Sequence, residues 1–393
     1  MGSYSGILFL DQSGELGGAE LCLADLAEFS KENSAVFLFQ DGPFAEFLRA
    51  RKIAVHVATL PKMVARVGKA GGLLAYLFAI PGIGLLLYRV MRVAKDFDLL
   101  YANTAKALVV GAIVAFLLRK KFCFHLHDIV SADHFSATNR HLIVSLANRA
   151  NAVVANSQAT ADAYRSNGGK NQLVRVIPNG FEISRFHSSS GSSLPEPQDK
   201  VTIGDSPVAG LFGRITRWKG QHLFIQALAE LPGVHGLIVG EALFTDEDHR
   251  YAKELQSLAV ELRVADRIRF TGFRTDILPL LRSVDLVVHC STSPEPFGRV
   301  IVEAMLAGRP VIAAKAGGAL EILTDNQTGL LIEPCNSHAL AKGMQKLLQN
   351  RDLAAQMGQA AKREAEERFS LDRVLTQWRA FIGEITHSRS PCS

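Results

Sequence analysis

The sequence predicts an α/β protein with two doubly wound domains. Its 393 residues exceed what one compact core accommodates and suit two domains of roughly 150 to 200 residues. Residues 284–322 alternate strand, loop and helix twice in succession, as doubly wound sheets do. Residues 188–199 are rich in Ser, Gly and Pro, which is the composition of a linker. We therefore expect a domain boundary there.

The segment 284–322 also predicts where a ligand binds. The apolar run 284–288 is typical of a buried parallel strand, and a polar loop occupies 291–296. A helical pattern follows and leads into a second strand at 310–314. Because doubly wound sheets bind ligands at the carboxyl ends of their strands, we expect the 291–296 loop to line a site.

Two carboxylates, Glu295 in this loop and Glu303 on the following helix, indicate the chemistry of the ligand. The N–H groups at the start of a helix favour anions and hydroxyl oxygens. Two carboxylates that accept from separate hydroxyl groups suit a polyhydroxylated ligand such as a nucleotide sugar. A pair of ordinary solvated glutamates is the alternative interpretation. The residues alone indicate a polyol or phosphate ligand.

The whole segment resembles the E-x7-E signature of the retaining glycosyltransferases of family 4, the glycosyl transferases group 1. The matching residues are Glu295, Phe297, Gly298, Glu303, Ala304, Gly308, Pro310, Val311, Gly317, Gly318 and Glu321. The resemblance implies the GT-B fold class, an α/β architecture of two Rossmann-like domains facing each other across a deep cleft. It also implies a C-terminal helix that crosses back to the first domain.

We place the domains on this basis. Residues 1–185 are expected to form an acceptor-binding domain and 206–369 a nucleotide-sugar donor domain, joined by a linker at 186–205. Residues 370–393 are expected to form the crossover helix and a tail that pack on the N-terminal domain.

The resemblance assigns roles in the donor site. Glu295 and the backbone amides after it would hold the sugar hydroxyls, and Glu303 would hold the ribose. Arg214 and Lys219 form a GR-x4-KG pattern after a predicted strand. There the forked guanidinium of Arg214 and the ammonium of Lys219 could bind two phosphates. Such residues in isolation usually belong to a solvated turn. The full expected donor-binding set is Gly17, Gly18, Arg214, Lys219, Phe273, Arg274, Glu295, Phe297, Gly298, Arg299, Val300 and Glu303.

A glycine-rich turn follows the first predicted strand, 7–10. Its G-x-x-G-G spacing differs from the G-x-G-x-x-G of dinucleotide-binding folds, so on its own it is a weak phosphate signal. The resemblance implies that Gly17 and Gly18 approach the donor diphosphate and the acceptor. Glu15 and Glu20 are weaker candidates.

A histidine pair follows the strand 121–125. His125 and His127 could ligate a metal, but the sequence offers no third ligand at the usual spacing, and no D-x-D motif is present. We therefore predict no metal and no cofactor. The resemblance implies that His127 faces the donor sugar, with His125 in a structural role.

Charge and hydropathy point to an anionic surface near the first domain. Residues 1–185 contain 20 Lys and Arg against 14 Asp and Glu. Within 62–95, an uncharged stretch lies between basic flanks and approaches the ~20 residues of a membrane span, but Pro81 interrupts it. We expect a peripheral membrane contact through 62–95, with a spanning helix or wholly buried helices as alternatives. No nucleic-acid-binding motif is present, so nucleic acid is not an expected partner.

The resemblance implies metal-independent, retaining hexosyl transfer from an NDP-α-sugar to an acceptor hydroxyl, and we expect it to serve cell-surface polysaccharide, glycolipid or lipid-linked glycan synthesis. A UDP-sugar is favoured, with GDP-mannose as the alternative, and the acceptor is a glycan, a lipid-linked glycan or a small molecule. The expected catalytic residues are His127, Arg214, Lys219 and Glu295. Five scattered cysteines without a C-x-x-C pair fit a reducing compartment, so we expect a cytoplasmic protein at the inner membrane face.

Four other functions compete with this prediction. One is a soluble glycosyltransferase that acts on a small-molecule acceptor. A nucleotide-sugar epimerase or a phosphorylase could use the same scaffold, and a binding module that has lost activity is the non-enzymatic alternative.

Overall fold

A computed structural model describes residues 6–59, 73–187, 206–243, 245–275 and 277–387, with the side chains of 73–81 left out. The chain divides into two compact units. The first unit comprises Met1–Gly180 and Val374–Ser393, and the second comprises Phe181–Arg373. The division thus falls a few residues before the expected end of the first domain at 185. The predicted linker residues 188–205 lie outside the described ranges.

The first unit is built on a seven-stranded parallel sheet with the strand order β3-β2-β1-β4-β5-β6-β7. Its five inner strands are almost completely buried, because helices cover both faces of such a sheet. The strands are β1 (Ile7–Asp11), β2 (Ser34–Leu38), β3 (Ala54–Val57), β4 (Leu99–Ala102), β5 (Lys121–Leu126), β6 (Ala152–Ala155) and β7 (Val174–Val176).

Helices connect these strands. They are α1 (Gly18–Phe29), α2 (Pro43–Ala50), α3 (Leu73–Ala94), α4 (Ala105–Leu118), α5 (Ala137–Ala147) and α6 (Gln158–Ser166), with a 3₁₀ turn at Lys31–Asn33. Ser136 and Ser157 cap α5 and α6 by accepting a hydrogen bond from the backbone N–H three residues later. Each cap thereby fixes the residue at which its helix begins.

The second unit has a six-stranded parallel sheet with the order β10-β9-β8-β11-β12-β13. Its strands are β8 (Val208–Phe212), β9 (His235–Val239), β10 (Ile268–Phe270), β11 (Leu286–His289), β12 (Val311–Ala314) and β13 (Leu330–Ile332). Its helices are α7 (Ser184–His187), α8 (Gln221–Ala229), α9 (Asp246–Glu261), α10 (Ile277–Ser283), α11 (Arg299–Leu306), α12 (Ala319–Ile322), α13 (Ser337–Gln349) and α14 (Arg351–Phe369). Further 3₁₀ turns lie at Arg217–Lys219 and Ala265–Arg267.

The last helix, α15 (Leu371–His387), joins the first unit from Val374 onward. The Trp378 ring stacks on Phe9, with 6.1 Å between ring centroids, and its indole N–H donates to the Tyr101 hydroxyl at 3.3 Å. The Lys121 ammonium donates to the carbonyls of Ile385 and Thr386, each at 2.8 Å, and so offsets the negative end of the helix dipole.

The predicted α/β class with two doubly wound sheets is confirmed. The strands predicted from apolar runs are 7–10, 36–39, 98–102, 121–125, 152–156, 207–212, 234–240, 268–272, 284–288 and 310–314. They correspond to β1, β2, β4–β6 and β8–β12. Three strands were not predicted, β3, β7 and β13, and each lies at an edge of its sheet. Edge strands are short and partly exposed, so their sequences lack the continuous apolar run of a central strand.

Candidate functional site

Three loops meet at the carboxyl ends of the strands in the second unit. The loop after β11 hydrogen-bonds the loop after β8, from the Thr292 N–H to the Trp218 carbonyl at 2.7 Å. It also accepts from the loop after β12, where the Gly318 N–H donates to the Glu295 carbonyl at 2.7 Å. Backbone hydrogen bonds therefore hold Glu295 from both sides.

Glycines make this close approach possible. A Cβ on Gly317, which has φ +60, would lie 2.3 Å from the Glu295 carbonyl oxygen, and one on Gly318 would lie 2.3 Å from the Phe297 carbonyl oxygen. A Cβ on Gly220, with φ +75, would lie 2.0 Å from the Cys290 carbonyl oxygen. Any side chain at these positions would push the loops apart.

Three side chains contact the same oxygen of the Glu295 carboxylate, Oε2. The Lys219 ammonium lies 2.6 Å from it, His289 Nε2 3.1 Å and Ser291 Oγ 3.2 Å. Glu295 and Lys219 are largely enclosed, with side-chain exposures of 12% and 16%. The sequence predicted separate tasks for these two residues, and the structure brings them together as an ion pair.

Burial raises the pKa of Glu295, but the Lys219 ammonium and His289 outweigh it, and the net pKa lies well below the usual range of a glutamate. The carboxylate is therefore ionised at neutral pH. An ionised carboxylate only accepts hydrogen bonds, so Glu295 can accept hydrogen bonds from the hydroxyl groups of a ligand.

His289 and Ser291 are site residues that sequence reasoning missed. Both are buried, at 4% and 2% exposure, and both contact Glu295. Their positions were a usable signal, because they end a buried strand and begin the loop that carries Glu295. A strand end is where side chains turn toward the ligand in this kind of sheet.

Glu303 lies one turn into α11 and is 9% exposed. Its Oε1 is 3.7 Å from Nη2 of Arg299, whose guanidinium stacks over the Phe181 ring at 4.5 Å. Burial raises the pKa of Glu303, opposed by Arg299 and Arg185. The ion pair is longer than a hydrogen bond, so the carboxylate remains capable of accepting from a ligand hydroxyl.

The remaining predicted donor residues of the second unit differ in exposure. Phe297 is 4% exposed and packs against Phe369, so only its backbone is placed to bind a ligand. Gly298 is left-handed, with φ +102, and starts α11 next to half-buried Val300. Phe273 is 47% exposed after β10 and precedes half-buried Arg274, and half-buried Arg214 follows β8. These residues all follow strand ends.

In the first unit, a second polar group lies at strand ends. Asn103 Nδ2 donates to Asp11 Oδ2 at 2.7 Å and to the Ala19 carbonyl at 3.2 Å. Since both partners are acceptors, the amide orientation is fixed, and Asn103 Oδ1 faces His127 Nε2 at 2.8 Å. His127 Nε2 therefore donates to Asn103 Oδ1. Sequence reasoning missed Asn103 and Asp11.

Two acidic side chains, Asp11 and Glu20, accompany these hydrogen bonds. Burial raises the pKa of Asp11 to about 6, although hydrogen bonds from the Ser13 N–H and the Asn103 amide act to lower that pKa. Burial and the charge of Asp11 raise the pKa of Glu20 to about 8. Gly17 precedes α1 as its N-cap and Gly18 is its first residue. A Cβ on Gly17 would lie 2.5 Å from Glu20 Oε2, so the glycine leaves room for that carboxylate.

Comparison with known proteins identifies the family of this chain. A family model described as Glycosyltransferase Family 4 matches residues 16–185, and one described as Glycosyl transferases group 1 matches 195–364. The crystal structure of Anabaena HepE in complex with UDP and glucose matches with a TM-score of 0.87 and 42% identity. That match covers 97% of this chain and 100% of HepE. The chain belongs to glycosyltransferase family 4.

Relatives in this family differ in how much of their length is matched. The lipopolysaccharide core biosynthesis glycosyltransferase LpsE of Rhizobium meliloti is 28% identical over 56% of this chain and 61% of LpsE. Human alpha-1,3/1,6-mannosyltransferase ALG2 is 26% identical over 96% of both chains. The chain thus spans less than two thirds of the length of LpsE. The similarity to HepE confirms the GT-B fold class.

The family 4 matches include every predicted site residue, from Gly17 to Glu303. Within the described ranges, no helix combines the length and apolarity needed to cross a bilayer. The four cysteines in those ranges, Cys22, Cys123, Cys290 and Cys335, form no disulfide there.

Proposed function

We propose that this family 4 protein transfers a hexose from an NDP-α-sugar to an acceptor hydroxyl with retention of configuration and without a metal requirement. The observation that carries the proposal is the ionised Glu295, held by Lys219 at a strand-end loop and followed by the N-terminus of α11. The 42% identity to HepE, which was crystallised with UDP-glucose, supports a UDP-sugar as the donor.

The charges in the second unit fit a donor with a diphosphate leaving group. Glu295 accepts hydrogen bonds from the sugar hydroxyls, and the backbone amides at 297–299 donate hydrogen bonds to them. Glu303 binds the ribose. Lys219 has three N–H donors and uses one on Glu295, so it can also reach a phosphate oxygen. Together with Arg214, it would stabilise the negative charge that develops on the leaving diphosphate.

The proposed reaction exchanges two bonds at the anomeric carbon. The bond from that carbon to the diphosphate oxygen breaks, and a bond to the acceptor oxygen forms on the same face. The acceptor proton passes to the departing phosphate oxygen, so no protein carboxylate acts as a nucleophile. In the first unit, His127 is the residue proposed to bind substrate, with its orientation set by Asn103.

The donor assignment is tested by thermal unfolding with UDP, GDP, ADP, UDP-glucose and GDP-mannose. A ligand that binds only the folded state stabilises it by about 2.7 kcal/mol at a concentration of 100 Kd. We expect the midpoint to rise with UDP and UDP-glucose. A rise with the guanine nucleotides alone would replace UDP by GDP, and no rise with any nucleotide would contradict the donor site.

Product analysis separates transfer from epimerisation. A transferase releases UDP from UDP-glucose only when an acceptor is present, and the new glycoside keeps the α configuration by NMR. An epimerase would convert UDP-glucose into another UDP-sugar without releasing UDP.

We further propose that the acceptor is lipid-linked or lies at a membrane, and that the first unit contacts the bilayer. Neighbouring helices α3, α4 and α5 expose large apolar side chains: Ile83, Leu85, Tyr88, Ile113, Phe116, Leu117 and Leu142. Basic residues Arg89, Arg92, Lys95 and Arg119 are exposed on the same helices or at their ends. Apolar and basic side chains together favour an anionic bilayer interface. Residues 62–72 of the stretch predicted for this contact lie outside the described ranges.

Replacing Phe116 and Leu117 by serine should reduce binding to anionic vesicles about 10-fold or more. These side chains are 82% and 56% exposed, and inserting them into lipid removes their apolar surface from water. Sedimentation with phosphatidylglycerol-containing vesicles measures the effect. Val260→Ser is the matched control, because Val260 is 67% exposed but lies in the second unit. Equal binding of wild type and the double variant would contradict the membrane proposal.

A further inference from the structure

The first unit brings a cysteine next to the histidine pair. Cys22 on α1 and His125 and His127 at the end of β5 each offer a ligand atom, and these atoms all lie within 4.8 Å of one another. Cys22 and His125 are buried, whereas His127 is partly exposed. The third ligand that the sequence spacing did not supply comes from a helix about a hundred residues earlier in the chain.

The surrounding hydrogen bonds fit a metal-binding arrangement. His127 Nε2 makes a hydrogen bond with Asn103 Oδ1 at 2.8 Å. His125 Nδ1 is 2.9 Å from the Tyr101 hydroxyl. Its Nε2 is buried and makes no hydrogen bond within the described residues. Histidines that bind metals hold one ring nitrogen in a hydrogen bond and present the other to the ion.

We propose that Cys22, His125 and His127 form a binding site for Zn²⁺ or a similar thiophilic divalent cation. One thiolate and two imidazoles are typical zinc ligands, at about 2.3 Å for sulfur and about 2.0–2.1 Å for nitrogen. A tetrahedral ion holds such ligands roughly 3.3–3.8 Å apart, so the side chains close by about an ångström on binding. A water molecule or ligand would take the fourth position.

An acidic side chain lies close to the cluster, because Asp11 accepts a hydrogen bond from Asn103, the partner of His127. Since His127 is also proposed to bind substrate, a metal ion bound to it should inhibit sugar transfer. This consequence rests on the function proposed above.

The site is tested with tag-free, reduced, metal-free protein and without substrate. Titration with Co²⁺ should give one equivalent of binding, a sulfur-to-cobalt charge-transfer band in the near ultraviolet and the intense visible bands of tetrahedral cobalt. Zn²⁺ should displace the cobalt and remove these bands. No tight Co²⁺ or Zn²⁺ binding would overturn the proposal even if the protein transfers sugar normally.

Variants identify the ligands. Cys22→Ala should abolish the charge-transfer band and weaken Zn²⁺ binding by at least about 100-fold, because the thiolate is the charged ligand. His127→Gln, at a partly exposed position, should also weaken binding and keeps the test valid if Cys22→Ala unfolds. Cys335→Ala, at an exposed thiol in the second unit, is the control and should change nothing. A band that persists in folded Cys22→Ala would assign the metal elsewhere and overturn the site.

Discussion

Glu295→Gln is expected to lower kcat/KM for sugar transfer by about 100- to 1,000-fold, the range seen when a group that stabilises or orients the transition state is removed. The amide keeps the size of the side chain but removes the negative charge that Lys219 and His289 hold in place. It also replaces an acceptor oxygen by a donor, so the hydrogen bond from a sugar hydroxyl is lost in part. Steady-state transfer with the donor selected by thermal unfolding measures this effect.

The stabilisation by UDP separates sugar binding from nucleotide binding. Because Glu295 is proposed to bind the sugar and not the nucleotide, UDP should raise the unfolding midpoint of Glu295→Gln as it does in wild type. Glu254→Gln is the control, since Glu254 is an exposed glutamate paired with Arg217 in the same unit. Activity of Glu295→Gln within a factor of about three of wild type would rule out the assigned role, since it would cost less than about 1 kcal/mol of transition-state stabilisation.

Lys219→Met is expected to lower the free energy of unfolding of the second unit by about 3–5 kcal/mol, because it leaves the enclosed Glu295 charge without its main partner. Transfer activity should fall as well, since the proposed site loses a cation that neutralises the leaving diphosphate. Urea unfolding at neutral pH measures the stability, and kcat/KM at a temperature well below the midpoint measures the activity.

The double variant Lys219→Met, Glu295→Gln distinguishes the two effects. Without the carboxylate, the buried charge is gone, so most of the lost stability should return while activity stays low. Lys362→Met is the control, because Lys362 pairs with Glu366 at 3.9 Å on the surface of α14 and should contribute only about 0.3–0.5 kcal/mol. Additive losses in the double variant would show that Lys219 and Glu295 do not stabilise each other.

The fold and the site were predictable to different extents. Central strands such as β1 and β11 are continuous apolar runs because both of their faces are covered, and that pattern is visible in the chain itself. The edge strand β3 alternates between exposed and half-buried residues over only four positions, so its pairing with β2 determines that it is a strand. Local pattern therefore predicts the centre of a sheet better than its edges.

The same difference applies to the candidate site. By itself, the sequence predicted the doubly wound class and a polyol or phosphate ligand at the strand ends, and its resemblance to family 4 assigned Glu295, Glu303, Arg214 and Lys219 to that site. Only the tertiary structure decided that Lys219 pairs with Glu295, that Asn103 orients His127, and that Cys22 lies beside His125. The physical reason is that a parallel sheet gathers the ends of strands far apart in sequence at one edge, so side chains with no local signal come within hydrogen-bond or ligand distance.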